Sequence, residues 1–192
     1  GVEEACRELG VRVWGGDLGA SETLYVSVTA VGVARRLISR RGARPGDVLM
    51  AAGHEVLTPV AYALLLRGTK PCEGAEEAVQ AAFRPKLVKP DFWLNVLEDV
   101  TASIDDSDGL ALTLHRLAEA SGVRLVVEAL PLSRALVECA GEWGLDPLEL
   151  ALYGGGEEYT FIFTVKRGRE SEVLSRAERH GVKAWRIGRV EE

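Results

Sequence analysis

The chain has 192 residues, 47% of them hydrophobic and 27% charged, with a net charge of −6 at pH 7. That is the composition of a globular protein with chain enough for one well-buried core, or for one domain and a fragment of another. The acidic balance argues against a nucleic-acid partner, which usually meets a basic face, and no apolar stretch approaches the roughly 18 residues of a membrane-spanning helix.

Residues 2–9 read as a short helix with no signal-peptide pattern. Val11–Trp14 reads as a strand ending at Gly15-Gly16-Asp17, and the alternating, Val- and Thr-rich run Thr23–Val33 as a long strand. Arg35, Arg36, Arg40, Arg41 and Arg44 form the one basic cluster, suited to a small anionic ligand. A Pro-Gly turn at Gly42–Asp47 launches the short buried strand Val48–Ala52. Helices are expected over Leu57–Leu66, Glu73–Ala82 and Asp91–Glu98, then a strand ending at Ile104, a helix over Leu110–Ala120 and a strand over Val123–Glu128. Helices at Arg134–Gly141 and Asp146–Leu152, a strand at Thr160–Val165, a helix at Glu170–His180 and a strand at Lys183–Ile187 complete the pattern. Cys6, Cys72 and Cys139 are odd in number, far apart and without Cys-x-x-Cys spacing. They read as small buried hydrophobes in a reducing, cytoplasmic compartment rather than as a disulfide framework or zinc site. His54, His115 and His180 are equally scattered.

The most informative segment is Asp105-Asp106-Ser107-Asp108-Gly109, at a strand-to-helix corner. Carboxylates crowded so closely repel one another unless a cation or basic side chains neutralise them. A hard cation such as Mg²⁺ takes oxygen ligands and bridges one or two carboxylates to a phosphate. The alternative is a helix N-cap with acids favoured by the helix dipole. An EF-hand is excluded: with Gly109 at loop position six, Ile104 and His115 fall where carboxylates are required. Two glycine corners add weaker signals. Gly15-Gly16-Asp17 is either a plain turn or a close backbone approach to a phosphate with a metal-holding acid beside it. Gly154-Gly155-Gly156-Glu157-Glu158-Tyr159 is either a helix stop or an edge that presents a substrate contact. Neither is a Walker A loop, and no Rossmann G-x-G-x-x-G spacing occurs.

Taken in order, Gly15-Gly16-Asp17, the Arg40–Asp47 run, Ile104–Leu110 and Gly155-Gly156-Glu157-Glu158-Tyr159 resemble thiamine-monophosphate kinase, of the aminoimidazole ribonucleotide synthetase-like superfamily. Ala120-Ser121-Gly122-Val123 followed by Leu130-Pro131-Leu132 also falls in place. The resemblance implies an α/β (α+β) fold in two parts. Residues 1–41 would be the remainder of an N-terminal β-rich ATP-binding and dimerisation domain, the chain lacking that domain's first part, and residues 42–192 a C-terminal mixed-sheet α/β domain. It implies transfer of the γ-phosphoryl group of ATP to thiamine monophosphate in a homodimer, with Mg²⁺. By matching position, Asp17, Asp105 and Asp108 would hold magnesium, Gly16, Arg40 and Ser107 (with Asp17) would contact ATP, and Glu157 would contact the thiamine moiety. No side chain is expected as a catalytic base. Asp106 stands where that family has an apolar residue and Glu158 where it has Asp. The alternatives are another ATP-dependent enzyme of the superfamily and a non-catalytic nucleotide-binding fragment.

Overall fold

A computed structural model describes residues 2–192. The chain divides into two units, one through Leu37 and one from Ile38 to Glu192. In the first unit only α1 (Val2–Glu8) is regular, and it buries no residue. The expected strands Val11–Trp14 and Thr23–Val33 do not form; both stretches are irregular and exposed. A strand is stabilised by ladder hydrogen bonds and cross-strand pairs, so β propensity without a paired neighbour does not suffice.

The second unit is built on β1 (Val48–Gly53), β2 (Val100–Asp105), β3 (Arg124–Val127), β4 (Phe161–Val165) and β5 (Lys183–Glu191), in the spatial order β2-β4-β1-β5-β3. Every pairing is antiparallel. The helices and strands mix as expected, but the sheet is antiparallel where a mixed sheet was anticipated. β5 runs on past Ile187 to Glu191 because Arg124–Val127 pairs along its outer half. The helices are α2 (Thr58–Arg67), α3 (Ala75–Phe83), α4 (Pro90–Val96), α5 (Leu110–Ser121), α6 (Arg134–Trp143), α7 (Pro147–Tyr153) and α8 (Glu170–Arg179).

β1 is central, and its run Leu49-Met50-Ala51-Ala52 is fully buried because both faces are covered. Leu49 and Ala51 pack with Val60, Leu117, Leu136 and Leu150 from α2, α5, α6 and α7. Met50 and Ala52 face Phe92, Val96 and Val173 from α4 and α8. Burying a Leu or Met side chain contributes about 1.5–3 kcal/mol, so this three-layer arrangement fixes the strand ends that carry the site. Buried Asp99 anchors α8 by accepting from Arg169 Nε at 2.8 Å and Arg176 at 3.1 Å.

Cys72 and Cys139 form a disulfide, with Cα atoms 5.3 Å apart. This corrects the reading of all three cysteines as unpaired. The sequence separation of 67 conceals the pairing, which arises because the segment before α3 packs on α6. Cys6 is a free thiol.

Candidate active site

β2 ends at Asp105 and α5 begins at Leu110, so the acidic corner sits where expected. The N-cap of α5 is Gly109, at φ 98°, with no side-chain cap. None of the acids is therefore used as the cap, and the three carboxylates meet three different environments. Asp106 is 3% exposed and accepts from Thr113 Oγ1 at 2.9 Å. Burial pushes its carboxyl up to about 6; the charges of Glu158 and Asp105 add to the shift, while hydrogen bonds from Thr113 and the Gly109 backbone oppose it. Asp105 is half-buried, and exposed Asp108 pairs with Arg116 one turn into α5.

The glycine-rich loop before β4 lies directly against this corner. Glu157 N donates to Ser107 O at 2.9 Å and Tyr159 N to Asp106 O at 2.8 Å, while Asp106 N donates to Thr160 O at 2.8 Å. Glycine is needed for so close an approach: a Cβ on Gly109 would lie 2.4 Å from Gly155 O, and one on Gly156 3.0 Å from Ser107 O.

Glu157 and Tyr159 adopt left-handed backbone, with φ 53° and 54°, a conformation costly for residues other than glycine and concentrated at functional sites. Glu157 is exposed while Glu158, between the two, is buried. The Glu158 carboxylate accepts from Thr58 Oγ1 at 2.6 Å, Thr58 N at 2.9 Å and Leu57 N at 3.2 Å. It also meets His54 Nδ1 at 3.0 Å. Burial opposes protonation of His54, but the hydrogen bond to Glu158 and its charge outweigh it and raise the pKa. The pKa values of Tyr62 and Tyr159 are both raised, by burial first and then by the charge of Glu157, with Asp105 adding at Tyr159. Asp105, Glu157, Tyr62 and Tyr159 thus share one electrostatic neighbourhood.

Arg40 and Asp105 line a common cavity of about 770 Å³ with Trp93 and Phe161. The segment carrying Arg40 is fixed by Ser103 N donating to Ser39 O at 3.0 Å and Ser121 Oγ to Arg40 O at 2.8 Å. Trp93 Nε1 is buried without a hydrogen-bond partner among the described residues. Gly16 and Asp17 lie in the irregular, exposed segment of the other unit. Among the described residues no three His, Cys, Asp or Glu side chains form a metal-holding group. Magnesium, however, is commonly held by one or two carboxylates together with substrate phosphates, and Asp105 and Asp108 are such an oxygen-donor pair. The corner thus gathers two solvent-reachable carboxylates, an arginine-lined cavity and a strained loop that displays a further carboxylate.

Sequence reasoning found both loops but not what braces them. His54, Thr58, Asp106 and Glu158 were not among the expected site residues, because Glu158 meets its partners across about 100 residues of chain. The one trace is that Glu158 keeps the parity of Thr160 and Ile162, all three buried.

The chain is 35% identical over 195 residues to a thiamine-monophosphate kinase of Aquifex aeolicus, spanning all of this chain and 60% of that protein. It is 40% identical over 169 residues to one of Pyrobaculum calidifontis, spanning 87% of this chain and 54% of the relative. A solved structure, AaThiL complexed with AMPPCP and TMP, superposes with a TM-score of 0.66 at 32% identity, over 82% of this chain and 48% of that one. The resemblance drawn from the motifs is therefore matched by relatives of that name, and the chain spans a little over half of their length. Residues 44–192, the sheet and both motif loops included, match the family described as AIR synthase related protein, C-terminal domain, and the chain belongs to that family.

Proposed function

We propose that the protein carrying this chain transfers the γ-phosphoryl group of ATP to thiamine monophosphate, giving thiamine diphosphate. The observation that supports this best is the contact between two motif loops distant in sequence, Asp105–Gly109 and Gly154–Tyr159, in a chain whose relatives are named for that reaction. The acceptor is a phosphate monoester whose second pKa is about 6, so its oxygen is already largely ionised at neutral pH and needs no base. The barrier is the mutual repulsion of two polyanions and the charge that builds during in-line transfer. In this reading Asp105 and Asp108 hold magnesium, and Arg116 keeps Asp108 neutralised before ligands arrive. Magnesium, when bound, supplies charge neutralisation and alignment of the phosphates. Arg40 and Ser107 contact ATP, with Arg40 acting as a charge clamp from its cavity. Glu157, displayed by the Glu158 tether, meets the cationic thiamine moiety.

The homodimer and the cytoplasmic setting belong to the same proposal, the latter resting on the relatives' biosynthetic reaction and no longer on the cysteines, since Cys72 and Cys139 are paired. The exposed apolar side chains of Trp14, Leu18, Leu24 and Val33 support association with a further chain. No described helix is long and apolar enough to cross a membrane.

The test is thiamine diphosphate formation by the protein carrying this chain, with calorimetry of ATP binding alongside. Asp108→Asn should lower turnover by orders of magnitude, and Glu157→Gln should weaken thiamine monophosphate binding while sparing magnesium–ATP. Near-normal turnover in Asp108→Asn, or lost ATP affinity with retained substrate affinity in Glu157→Gln, would overturn these roles.

A further inference from the structure

A second cavity, of about 1150 Å³, opens where the β1–α2 and α3–α4 connections meet the turn into β5, and it shares no lining residue with the Arg40 cavity. The chain as a whole carries −6, yet here Arg84, Lys86, Lys89 and Lys183 stand against Glu55 and Glu77, a net of +2 before any histidine is counted. Lys183 is taken by Glu55 at 3.3 Å. Arg84, Lys86 and Lys89 have no ion-pair partner among the described residues. Phe83, Leu87 and Val182 supply apolar wall, and Phe83 is 73% exposed.

His54 lines this cavity as well, and its Nε2 is buried without a hydrogen-bond partner among the described residues. Its Nδ1 is engaged by Glu158 at 3.0 Å, which holds the ring in the cavity wall. The cationic side chains and the half-apolar wall suit an anionic group on a hydrophobic body. An apolar cavity with a few convergent polar groups is the usual form of a small-molecule site.

We propose that this cavity is a second ligand site that takes a small organic anion. Its charged group lies against Arg84, Lys86, Lys89 and His54, and its apolar body against Phe83, Leu87 and Val182. Because His54 is hydrogen-bonded to Glu158 at 3.0 Å, the occupant touches a side chain joined to the tether that shapes the Gly154–Tyr159 loop.

The probe is phenyl phosphate, titrated into the 192-residue chain by calorimetry and by amide and imidazole NMR. The site predicts saturable one-to-one binding, shifts in the His54 ring and Val182 amide signals, and at least about tenfold weaker binding of uncharged phenol. Joint replacement of Arg84, Lys86 and Lys89 by Ala removes only exposed, unpaired side chains. It should weaken phenyl phosphate by about tenfold or more without moving the melting temperature, whereas Arg40→Ala should leave the affinity within about twofold. The NMR map on the unaltered chain serves should the triple variant fold poorly. Absence of saturable binding into the millimolar range, phenol binding as well as phenyl phosphate, shifts confined to Asp105–Gly109, or full affinity in the triple variant would each overturn the proposal.

Discussion

Glu158 is the residue on which the loop geometry turns. Its carboxylate accepts from two backbone amides and one hydroxyl and faces an imidazole, so Glu158→Gln trades a charged acceptor for a neutral amide that also brings donors. Hydrogen bonds to charged groups contribute about 1.5–3 kcal/mol, and the substitution should cost on that order in urea denaturation. Glu157 and Tyr159, no longer held in left-handed backbone, should relax as well. His54 supplies a pH signature. Its pKa is raised in the folded state, so its stabilising contribution is full below the unfolded value of about 6.5 and is lost as pH rises through the folded value. Thermal melts from pH 6 to 9 should show stability falling over that upper window, and His54→Gln should flatten that fall. A profile shared by both proteins would refute the coupling. At this scale the sequence revealed the acids that face outward, Asp105, Asp108 and Glu157. It could not reveal Asp106 and Glu158 as internal braces, since an acid becomes one only when donors arrive from elsewhere in the chain.

Among the elements, those from β1 onward were legible because their periodicity reports burial directly. The alternation over Val100–Ile104 and the left-handed glycine stop at Gly122 are local facts. Pairing is not local. The expected strands at Val11–Trp14 and Thr23–Val33 had composition without a ladder, and the antiparallel sense of the sheet depends on connections that periodicity does not encode. The disulfide is a third non-local feature. A cross-link enclosing a loop of this size stabilises by about 2–4 kcal/mol, in large part by restricting the unfolded chain. Reductant should lower the melting temperature, and the paired Cys72→Ser and Cys139→Ser variant should melt lower in both conditions with no further response to reductant. Equal melting of the unaltered chain with and without reductant would contradict this.

For the whole molecule, the division at Leu37 and Ile38 makes a prediction about accessibility. The segment from Gly10 to Leu37 is exposed nearly throughout and carries no regular structure, whereas the unit from Ile38 encloses two apolar cores. Brief proteolysis should cut within the first unit and leave a resistant fragment beginning near Ile38, read by mass spectrometry; early cuts inside β1 or β4 would refute the division. The strand order has a further consequence during synthesis on the ribosome. β1 emerges first but pairs only with β4 and β5, its register joining Ala52 to Phe161 and to Ala184. At about 5–20 residues per second, the central strand of the sheet waits several seconds for either neighbour to be made. The nascent chain therefore carries Leu49, Met50 and their neighbours without strand partners for that interval, a state that should engage holding chaperones before the domain folds.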